Sequence, residues 1–525
     1  MTGEPTLIGP FKGGLNNAAG VGEFIDDTEL FSLINLEVDN DGSLANRPAI
    51  KRINVSGGVG DQYILGIFRD VSGKNFILNI NNVQANGQGD MAMYDPVNGG
   101  KISTSVTINS LAAVQWRDRM WVISRTAGNG GYWAYDGTSW SWTTVAAIPV
   151  GETVTIYRDR LIIGAGVGST SNTSRIWISN DKDGASWNWT ANPWVDVDSG
   201  NGEKLTALIG MANDILIFKE HSTYRFGWSS DPAQAELSKI SATIGCPNAS
   251  CAATYDNNNV YLMHGDTVYE LFNYSFTEIS QKISMKQILD PTLRNSELFG
   301  LTTFRDRLFV RYYSFIYVYN IKTQAWCQWV TNRKFSKLVV LPSANVGLDI
   351  AYAHPADTGG QVSIYYFQDD RITGVGDTGS NGEQFNCSII TKTYDFETPY
   401  KYKKQFYWTA IFATNGNTTF TTTIPNAKEQ MTWDYAKAHY NWQDGPAIPL
   451  LWGDAGDITI EEVVQPTLGK FFRKIVKLEQ SCRFRQVFYS VSTAAIKNVT
   501  ADASVRIYQL TTFLQPKETI VKKVS

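Results

Sequence analysis

Short apolar runs punctuate the chain, separated by glycine, asparagine and aspartate. Phe76–Ile80, Met120–Ile123, Leu161–Ile163, Ile215–Phe218, Val260–Met263 and Leu308–Val310 are the clearest of them. They are brief and biased toward β-branched and aromatic residues, which predicts strands rather than helices. Convincing amphipathic helical stretches are almost absent, so the pattern predicts an all-β chain.

The spacing of the runs carries more information than the runs themselves. They begin at residues 76, 120, 161, 215, 260 and 308, and a further run, Asp349–Tyr352, follows. Polar turn signals recur just before them: Arg117-Asp118-Arg119, Arg158-Asp159-Arg160, Asn213-Asp214, Asn257-Asn258-Asn259 and Arg305-Asp306-Arg307. Tryptophan pairs recur late in some units, at Trp140 and Trp142, Trp187 and Trp189, Trp326 and Trp329. A repeat of about 45 residues accommodates four short strands and their turns, the content of one propeller blade. A single blade cannot cover both faces of its sheet, so aromatic residues recurring at this interval are expected in the core between neighbours. Residues 55–370 therefore predict a β-propeller of about six or seven blades; two β-sandwiches with regularly placed turns are the alternative.

The texture changes beyond that region. Residues 369–384 are polar and glycine-rich, and a linker is expected over 371–384. Longer alternating strands follow at Cys387–Tyr394, Phe406–Phe412, Phe484–Val491 and Val505–Phe513, which predicts an antiparallel C-terminal β-sandwich over 385–525. Residues 1–54 carry glycines at 9, 13, 14, 20 and 22, the turn Asp39–Ser43, and Arg47-Pro48. They read as an extended arm with little core of its own, anchored on its own domain or on a neighbour.

Composition narrows the function classes. The 525 residues are 43% hydrophobic and 13% aromatic, too much buriable surface for a disordered, collagen-like or coiled-coil chain. Lys plus Arg is 46 against 50 for Asp plus Glu, a net charge of −4, so generic coating of duplex DNA is not expected. No apolar run approaches the ~18–20 residues of a spanning helix, and the first residues lack a secretory pattern. The five cysteines are thinly spread; Cys246 and Cys251 are close enough to close a short loop.

Candidate chemistry is sparse. His221, His264, His354 and His439 show no metal-ligand spacing, and no nucleophile elbow occurs. Gly374–Gly379 matches a dinucleotide-binding glycine pattern, but it lies in the linker with no helix behind it. Asp39–Gly42 lacks the further ligands of a calcium loop and predicts a tight turn. Ser179–Trp187 is close to the Asp-box turn of sialidase-type propellers, a structural element in which a carboxylate satisfies backbone donors above a packed indole. Lys401–Lys404, with Arg483 and Arg485, predicts a solvated basic strand face.

The opening of the chain resembles a group of phage tail proteins. Pro10–Asn16, Ile25–Leu30, Leu33–Asp39, Asp41–Leu44 and Arg47-Pro48 follow the group's order of a glycine-pair arm, an Asn-bearing strand, a glycine turn and Arg-Pro before a propeller. Leu205–Gly210 with Ile215–Tyr224, and Thr243–Cys246 leading into Val260–Met263, extend the resemblance. The group includes tail nozzle or hub proteins of short-tailed phages and propeller-bearing minor tail proteins of actinobacterial phages. The resemblance implies a non-enzymatic virion component, made in the host cytoplasm and repeated as a ring about the tail axis, with six copies in a nozzle or three at a tip. It implies other tail or neck proteins as partners, transient contact with ejected DNA, and host attachment with a possible surface glycan. No catalytic residue, cofactor or metal is expected. Subunit contacts are expected from the arm, at Phe11, Lys12, Gly13, Gly14, Leu15, Asn16, Asn35 and Arg47. A mildly acidic channel lining would keep passing DNA from sticking. A glycan-binding adhesin and a glycan hydrolase are the competing readings.

Overall fold

The computed structural model describes residues 4–18, 25–53, 63–81, 88–95, 100–110, 112–165, 173–187, 194–228, 231–256, 258–283, 299–312, 315–330, 338–340, 348–354, 363–368, 387–392, 394, 403–414, 418–424, 458–464, 471–484, 490–495 and 505–516. Among these residues helix is confined to short 3-10 turns such as Ser199–Asn201, Pro232–Gln234 and Ala249–Cys251. The rest of the regular structure is strand. The chain forms two compact units: 50–318 with 331–369, and 1–49 with 319–330 and 370–525.

The first unit is a succession of antiparallel sheets, each built from consecutive strands, and this is β-propeller architecture. Three consecutive sheets show the plan: Ala112–Trp116, Arg119–Ile123, Gly131–Tyr135 and Trp140–Thr144; then Thr153–Tyr157, Arg160–Gly164, Arg175–Ile178 and Trp194–Asp196; then Leu205–Gly210, Ile215–Lys219, Thr223–Gly227 and Glu236–Ser241. Tyr63–Arg69 opens a sheet before them; Ala252–Thr254, Phe299–Phe304 and Leu338–Val340 open sheets after them. The strand Ala49–Ile53, which precedes all of these, pairs into the sheet of Leu338–Val340, Leu348–His354 and Ser363–Gln368. Each opening strand neighbours the next, and Leu338–Val340 neighbours Tyr63–Arg69.

The apolar runs read from the sequence are the second strands of these sheets. Ile215–Lys219 is buried at all five positions, and Arg119–Ile123 and Arg160–Gly164 at four of five. A strand flanked by its own sheet and covered on both faces reads as a continuous apolar run, which is why periodicity alone found it. The cores lie between successive sheets. One joins Phe76 and Leu78 to Met120, Trp133 and Trp140; the next joins Trp121 and Ile123 to Leu161, Ile163 and Trp187. Of the tryptophan pairs expected in this core, Trp140 and Trp187 are buried in it, Trp142 is half-buried against it, and Trp189 lies outside the described residues.

The opening strands approach one another closely, and small residues permit it. A Cβ on Gly210 would stand 2.4 Å from the Ile156 carbonyl oxygen, and the Gly210 amide donates to Thr155 Oγ1 at 2.9 Å. Gly210→Ala is expected to lower stability by about 1–3 kcal/mol, because backbone rather than a flexible side chain must move. A urea titration reads this as a lower midpoint at unchanged slope. Among the opening strands named above, Arg69 is the one charged residue.

Three Arg-Asp turns place their first arginine in the same backbone region. Arg117, Arg158 and Arg305 have φ of 58°, 45° and 50°, a left-handed region that costs a non-glycine residue about 1 kcal/mol or more. Each guanidinium stands 5.1–5.4 Å from the ring of the preceding residue, Trp116, Tyr157 or Phe304, and this stacking offsets part of the cost.

The second unit consists of two sheets between which the chain alternates. One orders Phe471–Phe484, Lys403–Thr414, Val505–Pro516, Leu44–Asn46 and Leu36–Val38, with Glu4–Ile8 also on Val505–Pro516. The other includes Ala325–Val330, Gly14–Leu15, Glu29–Ile34, Cys387–Thr391, Ser490–Ala495, Thr418–Ile424 and Ile458–Val464. The N-terminal residues, expected over 1–54 as an extended arm anchored on its own domain or on a neighbour, supply strands to both sheets of this unit. Leu30, Leu33, Leu36 and Leu44 are fully buried there, so the segment shares in a core rather than lying on a surface. The expected strand Phe484–Val491 is also revised: one strand ends at Phe484 and another begins at Ser490. The expected linker lies outside the described residues.

Candidate functional site

Two of the residues expected at subunit contacts, Asn35 and Arg47, form a joint inside their own unit. Asn35 is its centre, held at φ 58°. Its amide donates to the Gln328 carbonyl at 2.8 Å, and its carbonyl accepts from the Arg47 amide at 3.0 Å and the Cys387 thiol at 3.3 Å. Its side-chain Oδ1 accepts from Arg47 Nε at 3.0 Å and the Val330 amide at 2.9 Å. Arg47 is fully buried and also donates to the Pro48 carbonyl at 2.9 Å. One asparagine thus ties three segments that are distant in sequence.

The glycine pair has a separate reason. Gly14, at φ 67°, lies opposite Trp326 in a parallel bridge, where a Cβ would stand 2.7 Å from the Trp326 carbonyl oxygen. At Gly13 a Cβ would stand 2.4 Å from Glu29 Cγ. Phe11 and Leu15 are buried beside them, and Asn16 Nδ2 donates to Glu29 Oε2 at 2.7 Å. Of the eight expected contact residues, Phe11, Gly14, Leu15, Asn35 and Arg47 are buried within the chain, Gly13 and Asn16 are half-buried, and Lys12 is exposed. The expectation that all eight face a neighbour is therefore revised. A buried side chain reaches a neighbouring copy only by leaving its own unit.

The Asp39–Ser43 segment is the tight turn the sequence predicts, with Gly42 at φ 82° and the Ser43 amide donating to Asp41 Oδ1 at 2.8 Å. Ser179–Trp187 forms the expected carboxylate turn. The Asp183 carboxylate accepts from the Ala185 amide at 2.9 Å and from the Ser186 side chain, which lowers its pKa. Trp187 is buried below and donates from Nε1 to the Gly184 carbonyl at 3.1 Å. Cys246 and Cys251 are free buried thiols, so no loop is closed. Lys404 lies opposite Arg483 across paired strands. Lys401, Arg485, His439 and Gly374–Gly379 lie outside the described residues.

Two features escaped sequence reasoning. The first is a buried amine. Lys219 is fully buried and donates to Asp198 O and Asn201 Oδ1 at 2.9 Å and to Ser174 Oγ at 3.1 Å. Burial lowers its pKa, countered by the charges of Asp198 and Glu203. The Asp198 carboxylate in turn accepts from the Tyr224 hydroxyl at 2.6 Å and pairs with Lys239 at 2.7 Å.

The second is a histidine pair. His221 and His264 lie with ring centroids 5.6 Å apart at 85°, beside a cavity of about 180 Å³ lined by Glu220, His221, Pro247, Met263, His264, Gly265 and Phe299. The Gly245 amide donates to His264 Nδ1 at 3.3 Å, and the Glu220 peptide also bonds the ring. Burial first, and His221 second, lower the His264 pKa. The unfolded chain therefore binds this proton more readily than the folded one, and stability falls as pH drops below about 6.5. Urea midpoints at pH 7.5, 6 and 5 check this; His264→Gln is expected to flatten the decline in that window. The two histidines are 43 residues apart, but each follows the apolar run of its own repeat, the one signal that pairs them.

No protein-family model matches the chain, and no curated protein matches it. Among solved structures, the AfRom2 CNH domain aligns with 61% of this chain and 98% of its own, at 7% identity and TM-score 0.38. The β-propeller domain of Cps50 (Swd1) from Myceliophteria thermophila aligns with 57% of this chain and 96% of its own, at 10% identity and TM-score 0.33. YCF48 from Cyanidioschyzon merolae aligns with 61% of this chain and 98% of its own, at 11% identity and TM-score 0.36.

Proposed function

We propose that the chain is a structural component of a bacteriophage tail, a nozzle, hub or minor tail protein that works as a ring of identical copies. Its propeller has seven blades, the last completed by Ala49–Ile53, and its remaining strands make a β-sandwich. The observation that carries the reading is the framework part played by the N-terminal pattern: its Asn and its Arg-Pro meet in the joint around Asn35, and Gly14 of its glycine pair bridges to Trp326 on the strand that also supplies Val330 to that joint. A motif used to lock a framework suits a protein whose task is shape. Rigid blades with few free edges suit a ring wall, and ring closure needs a heterologous contact between copies. The opening strands hold a single basic residue, Arg69, too little charge to hold a phosphate backbone, and DNA passage is assigned to the lumen of the ring of copies.

Analytical ultracentrifugation of the full chain tests the ring. Assembly into a single species of six copies, or of three, is expected; a chain that stays monomeric at high concentration contradicts it.

A glycan-contacting role during host attachment is favoured by one group. Arg175 is held by two bonds to Asp196, at 2.7 and 3.0 Å, and stacks 3.6 Å above Trp194, beside half-buried Trp177. Half-exposed indoles with fixed polar neighbours suit the apolar face of a pyranose. On that reading Trp177→Ala lowers binding of host-surface polysaccharide by about tenfold; unchanged binding sets it aside.

A further inference from the structure

We infer that the cavity beside His221 and His264 is a binding site for a small organic ammonium ion with an apolar body. This goes beyond the tail reading and does not depend on it. The cavity, about 180 Å³, lies below the ~300–1,000 Å³ of drug-sized pockets, so its occupant is small.

Its lining is divided by chemistry. Met263 and Phe299 are buried and form an apolar floor, with Pro247 beside them. Glu220 and His221 are exposed and form the rim. Among the described residues the Glu220 side chain has no hydrogen-bond or ion-pair partner, although it lines a concave site. Among the described residues no lysine or arginine lines the cavity.

Burial first, and His221 second, disfavour a charged imidazole in the wall. His264 Nδ1 accepts the Gly245 amide proton, which it can do only when unprotonated. Gly245 is itself fixed, because a Cβ there would stand 2.3 Å from the Lys219 carbonyl oxygen and 2.6 Å from the Ser222 amide nitrogen. Lys219, the nearest buried cation in sequence, directs its ammonium to Asp198, Asn201 and Ser174. The site therefore presents one carboxylate, two imidazoles and an aromatic floor. A cation is attracted by the carboxylate, and an apolar body fills the floor made by Met263 and Phe299.

Benzylammonium is the probe, with benzyl alcohol as its neutral isostere, both at pH 8 where free imidazole is neutral. Methyl NMR on the full chain reads the Met263 resonance, assigned with Met263→Leu. Benzylammonium is expected to shift that resonance saturably, and benzyl alcohol to bind about tenfold more weakly. Glu220→Gln, at an exposed position, is expected to abolish the difference between the two probes. The inference is overturned if the Met263 methyl stays unmoved at 20 mM benzylammonium, added as ~20 mM to exceed weak fragment affinities. Equal binding of alcohol and ammonium in the wild type, or an unchanged preference in Glu220→Gln, overturns it as well.

Discussion

Arg47→Ala is expected to lower the stability of its unit by about 3–5 kcal/mol. Arg47 is fully buried, its guanidinium donates to Asn35 Oδ1 and to the Pro48 carbonyl, and its amide donates to the Asn35 carbonyl. Removing the side chain leaves a large cavity and strips polar partners from groups that water does not reach. The backbone bond and the Val330 amide's bond to Asn35 Oδ1 survive, so Asn35 loses one of its two side-chain partners but keeps its place beside Gln328. Arg47→Lys is expected to recover little, because one ammonium cannot reproduce the directions of a planar fork. Thermal unfolding followed by limited proteolysis separates the effects on the two units. Cleavage within residues 1–49 or 387–516 should appear first, while the sheets between Tyr63 and Glu278 stay protected. Simultaneous loss of both units would show that the joint supports more than its own sheets.

Lys219→Met is expected to cost about 3 kcal/mol, with a different signature. Methionine fills much of the volume but leaves the Asp198 carbonyl, Asn201 Oδ1 and Ser174 Oγ without the donor they share. Those three groups hold the segment Asp198–Glu203, whose first residue sits at φ 43° and which contains the 3-10 turn Ser199–Asn201. The expected result is faster amide exchange over 198–203, with protection in Ile215–Lys219 reduced less. The bonds of Tyr224 and Lys239 to Asp198 remain, so the segment loosens rather than detaches. Exchange that rises equally across the whole sheet would assign Lys219 a role in global stability instead.

The legible part of this chain was its repeat. Second strands covered on both faces must be apolar, so Ile215–Phe218 and Leu161–Ile163 declare themselves at blade spacing. The turns before them were legible because left-handed positions concentrate in short polar pairs, although arginine at that position has a reason, stacking on the preceding ring, that spacing does not reveal. The burial of the N-terminal segment is not legible in the sequence, for a physical reason. Its strands are short, two residues at Gly14–Leu15 and three at Leu36–Val38, and strands so short show no alternation. Their burial depends on partners hundreds of residues away, as with Val330 and Asn35. Nor does polar burial announce itself: Lys219 closes an apolar strand and reads as an ordinary solvated lysine until its three acceptors are in view.

The central claim is that this chain belongs to a phage tail, and labelling of particles tests it most directly. Gold-conjugated antibody against the chain, applied to intact particles from the source lysate and viewed by electron microscopy, is expected to mark the tail at one axial level. Label at the neck or short tail means a hub or nozzle; label at the far end of a long tail means a tip protein. Particles that carry no label, with the chain recovered in the soluble fraction, would contradict the account.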